Sequence, residues 1–129
     1  MSDKGAEEWF FQSEYDIDTA KHMLKSGRNV YTVFMCHLAI EKMLKGLLIQ
    51  KLKKSPPKTH NLLLLIERIN LELEQEDQAF VYNLNETSVP TRYPEDLRKL
   101  FKVYTKKRAT EIFETSKKLL KWLKKESMK

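Results

Sequence analysis

His37 and Glu41 stand four residues apart in the run Val33-Phe34-Met35-Cys36-His37-Leu38-Ala39-Ile40-Glu41-Lys42-Met43-Leu44. On a helix that spacing brings two side chains to one face, and the rest of this face is apolar. One reading makes Glu41 a base or ligand-holder oriented by His37. The other makes the two a buried polar pair that satisfies its own hydrogen bonds and fixes helix register. Two such groups are too few for a metal, which typically takes about three or four ligands, and no cofactor is expected. Lys58 and His60 come next, in Pro56-Pro57-Lys58-Thr59-His60-Asn61-Leu62. If a helix opens there, its unpaired amides and dipole favour an anion, with Lys58 as counter-charge; equally, Thr59 serves as a simple cap. A third pair, Arg92-Tyr93, lies between Pro90 and Pro94. A guanidinium matches phosphate in a bidentate fork and a tyrosine ring offers a base a stacking surface; the alternative is an ion pair for Arg92 and a groove-filling role for Tyr93. A ligand pocket would be lined by Lys58, His60, Arg92 and Tyr93. The three glycines, at positions 5, 27 and 46, stand too far apart for a phosphate loop.

These residues need elements to hold them. Phe10, Ile17 and Leu24 recur seven apart with Ser13 and Ala20 between them, which predicts a helix over residues 6 to 26 ended by Ser26-Gly27. A long central helix is predicted from Asn29 to Lys53. Ser55-Pro56-Pro57 cannot continue it, because proline lacks the amide donor. A third helix is predicted to start at Thr59 or His60 with Leu62 to Ile69 as its apolar content. A short one is predicted around Gln78 to Leu84, then a non-periodic stretch from Asn85 to Pro94. The last helix, from about Thr105 to Lys125, sets Ala109, Ile112/Phe113, Leu119/Leu120 and Leu123 on one face and lysines on the other. No period-2 run reads as a strand. The expected fold is all α, an up-and-down bundle of about five helices. A chain of 129 residues is expected to be a single domain, residues 1–129, with its core over about 6–125.

Composition narrows the class. The single cysteine, Cys36, excludes an internal disulfide and sits in an apolar run as a small hydrophobe. The start of the chain is polar and acidic, unlike a signal peptide, and no apolar run is long enough to span a membrane. A soluble, cytoplasmic protein is expected. The net charge of +6 is unevenly spread: residues 42 to 58 hold six Lys and no acid, 67 to 96 hold eight acids and two Arg, and 97 to 129 hold twelve Lys/Arg and three Glu. Such basic blocks attract phosphates or an acidic partner, or are plain solvated surface. Trp9-Phe10-Phe11 cover more of the first helix than a monomer core needs, and a dimer or partner interface would bury the surplus.

Taken in order, Trp9-Phe10 with Ala20-Lys21, Ala39-Ile40-Glu41-Lys42 with Leu44-Lys45 and Leu47-Leu48, Pro57-Lys58-Thr59-His60-Asn61-Leu62, and Arg92-Tyr93-Pro94 resemble the HEPN domain family over about Ala6 to Lys125. The resemblance implies a helical bundle that forms homodimers, is often encoded beside a minimal nucleotidyltransferase, and binds a nucleotide or RNA, in some members within toxin–antitoxin pairs. Nuclease members carry Arg, about four to six residues, then His. Here the only His shortly after an Arg is His37, eight intervening residues beyond Arg28, so a binding module rather than an enzyme is expected, with no catalytic residues. The alternatives are a divergent metal-independent ribonuclease and a pure interaction adaptor.

Overall fold

The computed structural model describes residues 4–87 and 94–129. Six helices follow one another: α1 (Lys4–Lys25), α2 (Asn29–Leu52), α3 (Leu62–Arg68), α4 (Gln75–Thr87), α5 (Pro94–Val103) and α6 (Lys106–Glu126), with no strand among the described residues. Fifteen of the 24 residues of α2 are buried, so it cannot be a surface helix with one wet face. It is the axis of the bundle, with α1 and α6 packed along it and α3, α4 and α5 set against it.

Gly27 makes the first reversal. Its φ of +78° is the left-handed value that glycine adopts without a Cβ penalty. The α1–α2 hairpin that results is antiparallel and close. Ser13 Oγ donates to Ala39 O at 2.6 Å, Lys42 Nζ pairs with Asp16 at 2.8 Å, and the Phe10 ring packs against Gly46, where a Cβ would stand 2.7 Å from the Phe10 Cδ1. The α2 helix stops at Lys53, itself left-handed at φ 55°, whose amide donates back to Ile49 O. The two prolines follow only after that turn.

Three boundaries differ from expectation. The third helix opens neither at Thr59 nor at His60 but at Leu62, capped by Asn61; Thr59 Oγ1 instead accepts from the Asn61 amide at 3.1 Å. The α4 helix starts three residues before Gln78 and takes Glu76 and Asp77 into its first turn, where acids complement the helix dipole. The α5 helix is a sixth element where none was expected. Pro94 sits at its first position, with Glu95 and Asp96 behind it; proline is well suited there because its missing amide is not needed. Thr105 then caps α6 by accepting from the Arg108 amide at 3.1 Å.

Candidate functional site

The face of α2 that holds His37 and Glu41 points inward. His37 is fully buried and Glu41 is 4% exposed. Their own contact is long, 3.7 Å from His37 Nε2 to Glu41 Oε1, because each has a better partner in the loop before α3. His37 Nε2 lies 2.9 Å from His60 O, and the ring also hydrogen-bonds the backbone of Leu84 in α4. His37 therefore ties the axis helix to two other elements. Burial pushes its pKa below the ordinary imidazole value, although the carbonyl partners and Glu41 pull the other way.

Glu41 Oε1 accepts from His60 Nδ1 at 2.8 Å, and Oε2 accepts from Lys45 Nζ at 3.1 Å. Lys45 is itself buried and stands 5.4 Å above the Trp9 ring, close enough for a cation–π contact. The carboxylate is thus satisfied from both sides, as a buried charge must be. His60 is different: its side chain is 53% exposed. The bond to Glu41 orients its ring and leaves Nε2 without a hydrogen bond among the described residues. A histidine oriented at Nδ1 by a buried carboxylate and open at Nε2 can donate to a phosphate or move a proton.

The amides at the start of α3 are not free for an anion. Asn61 Oδ1 accepts from Leu63 N at 3.0 Å and Leu64 N at 3.3 Å, and Asn85 Oδ1 from Leu62 N at 2.8 Å. Asn85 Nδ2 closes the loop by donating to Asn61 Oδ1 at 3.2 Å. This overturns the helix-start rationale for Lys58 and His60: side chains already fill the amides. What remains there is an exposed Lys58, two residues from His60, in no ion pair among the described residues. Arg92 and Tyr93 lie outside the described residues. Of the six expected site residues the structure therefore joins His37, Glu41 and His60 in one network and leaves Lys58 beside it. Among the described residues no three of His, Cys, Asp or Glu converge as a metal would need.

A second constellation involves none of the expected residues. Gly27, Arg28, Asn29, Val30 and Tyr31, at the α1–α2 turn, face Phe101 and Tyr104 at the α5–α6 junction across a hollow of about 250 Å³. Phe101 is 55% exposed and Tyr31 45%, while Tyr104 is buried. Arg28 is exposed and in no ion pair among the described residues. It stands at the N-cap of α2 and offers no side-chain cap bond, so the first amides of that helix are not covered by it. Asn29 Oδ1 is buried there without a hydrogen-bond partner among the described residues, an orphaned acceptor of the kind a ligand donor can satisfy. The stretches 19–40 and 97–110, which supply both walls, contain nine Lys/Arg and no Asp or Glu. That absence of acid is the one sequence signal that points here. Along α2, Tyr31 and Glu41 are ten residues apart, about 15 Å of helix, so the hollow and the His60 network are separate.

No helix among the described residues is long and apolar enough to cross a membrane. The HEPN domain family model matches residues 6–126. No curated protein matches the chain. Two solved structures share the fold: a protein of Thermus thermophilus, TT1696, at 23% identity with a TM-score of 0.77 over 93% of this chain and 96% of that one, and ST0689, described as an archaeal HEPN homologue, at 22% identity with a TM-score of 0.72 over 97% and 99%. With a family model spanning all six helices and a matching bundle in both structures, this chain belongs to the HEPN domain family.

Proposed function

We propose that this chain is a non-catalytic, nucleotide- or nucleic-acid-binding HEPN module, working as a homodimer beside a minimal nucleotidyltransferase, in the manner of a toxin–antitoxin pair. The observation that carries the ligand reading is the hollow at Arg28. Tyr31 and Phe101 both line the hollow and offer aromatic surface to a planar base, and base–aromatic stacking is worth about 1–3 kcal/mol per base. An attached phosphate then meets the Arg28 guanidinium and the uncovered amides of α2, both of which favour anions. The dimer reading draws on Phe11 and Tyr15, one helical turn apart on α1 and both more than 60% exposed, which is apolar area that a partner would bury. The nucleotidyltransferase partner comes from family membership alone.

A thermal-shift series with ATP, GTP, their monophosphates and a short RNA, at low and moderate salt, tests the ligand. Binding to the folded state raises the midpoint by mass action, and the rise should vanish in Arg28→Ala and shrink in Tyr31→Ala. No rise with any of these ligands would overturn the reading in favour of a pure adaptor.

A second reading is favoured by the Glu41–His60 geometry: a divergent, metal-independent ribonuclease in which His60 Nε2 moves a proton and Lys58 faces the phosphate. Cleavage of a labelled RNA in EDTA that disappears in His60→Ala and persists in Arg28→Ala would favour it over the binding module.

A further inference from the structure

We propose that His60 is a phosphoryl-accepting histidine, its Nε2 taking the phosphoryl group of a small acyl phosphate. The loop that carries it is pinned to α2 by main chain and side chain together. The His60 carbonyl accepts from His37 Nε2 at 2.9 Å, and Nδ1 donates to Glu41 Oε1 at 2.8 Å. Behind that contact Lys45 Nζ donates to Glu41 Oε2 at 3.1 Å, so the carboxylate is held from its far side as well. Yet the His60 side chain is 53% exposed, and its Nε2 makes no hydrogen bond among the described residues.

The two other histidines lack this combination. His37 is fully buried, out of a donor's reach. His22 is more exposed than His60, at 66%, so exposure alone would favour it. Its carboxylate partner, however, is the equally exposed Asp18, which lies 3.4 Å from Nε2, the nitrogen that His60 keeps open. Solvent screens that pair. Glu41 is buried, so its charge acts on the His60 ring through a medium of lower effective dielectric.

With its proton on Nδ1 and directed at Glu41, the ring presents the Nε2 lone pair as the nucleophile. That lone pair attacks phosphorus, the P–N bond forms as the P–O bond to the acyl group breaks, and the carboxylate departs with the electron pair. The ring is left as an imidazolium whose positive charge faces Glu41, with its Nδ1 proton still in that bond. Charge also favours the approach of the donor. Lys51, Lys53, Lys54 and Lys58 are all exposed in the chain leading to His60, and residues 42–58 contain no acid. The proposal does not rest on the Arg28 hollow. It also differs from the ribonuclease reading, in which His60 moves a proton and forms no bond to phosphorus.

The test is incubation of the protein with acetyl phosphate, followed by intact mass, peptide mapping and phosphorus NMR. One acid-labile, alkali-stable phosphoryl group per chain should appear on His60, as the Nε2 isomer, at a rate roughly tenfold or more above that of His22. His22→Ala should label like the parent. His60→Asn, whose amide can still donate to Glu41 and so keeps the loop in place, should lose the label. Glu41→Gln should slow His60 labelling by about tenfold and leave the slow reaction of His22 as it was, an effect that general unfolding would not confine to one histidine. The proposal is overturned if acetyl phosphate leaves His60 unlabelled, if His22 labels as fast as His60, if the phosphoryl group sits on Nδ1, or if Glu41→Gln labels at the parent's rate.

Discussion

Glu41→Leu is the sharpest perturbation of the buried network. The carboxylate holds His60 Nδ1 at 2.8 Å and Lys45 Nζ at 3.1 Å. With leucine there, Lys45, only 6% exposed, keeps its contact with Trp9 but loses the one carboxylate within hydrogen-bond reach. Breaking a buried pair from one side costs about 3–5 kcal/mol, whereas replacing both partners by apolar groups is often neutral. The lower end applies, because the Trp9 ring still faces Lys45, and about 3 kcal/mol is expected. Spread over the unfolding entropy of a chain this size, about 0.27 kcal/mol per kelvin, that lowers the melting temperature by about 11 °C. Glu41→Leu/Lys45→Met should return to within about 1 kcal/mol of the parent. Urea titrations of the parent, the two single variants and the double variant give the full cycle. A Glu41→Leu loss under about 1 kcal/mol, or a double variant as unstable as Glu41→Leu, would refute the claim that this is a closed, mutually dependent network.

His37 has its pKa lowered by burial, so below the unfolded value of about 6.5 the unfolded chain takes a proton that the folded one refuses; stability then falls with decreasing pH in that window by up to about 1.4 kcal/mol per unit. Denaturant titrations across that range should show the slope in the parent and a smaller one in His37→Gln. The Cys36 thiol, buried and pushed up to about 12, should react with a disulfide reagent at pH 8 only as fast as the chain unfolds, so prompt labelling of the native protein would contradict its place in the core. Gly46→Leu should cost about 2 kcal/mol by driving the Phe10 ring off α2; a circular-dichroism melt unchanged from the parent would show that the two helices have room to part.

The parts of this structure that were legible in the sequence are those set by local period. Helices α1 and α6 each keep an apolar stripe for about four turns or more, α2 is apolar over most of its length, and Gly27 marks the first reversal. The α5 helix was hidden because Pro94 reads as a breaker when it follows Pro90, although the same residue at a first helical position, with Glu95 and Asp96 behind it, is a start signal. Likewise Glu76 and Asp77, which lie before the helix predicted from Gln78, belong to the first turn of α4. The inward His37/Glu41 face was readable from spacing. The pairing of Glu41 with His60, nineteen positions away, depends on how the proline loop folds back and has no local signature. The Arg28 hollow is further from reach, since its walls are separated by some seventy residues and meet only in the folded bundle. Its trace in the sequence is negative, two long stretches without a carboxylate.

Amide chemical shifts of the isotope-labelled protein, followed while a short single-stranded RNA and then AMP are added at moderate salt, show directly whether the Arg28 hollow takes the ligand. Shifts should concentrate at residues 27–31 and 101–106, with both ligands acting on the same amides, and Arg28→Ala should remove them. Shifts confined to residues 58–61, or scattered over the lysine-rich face of α6, would contradict it.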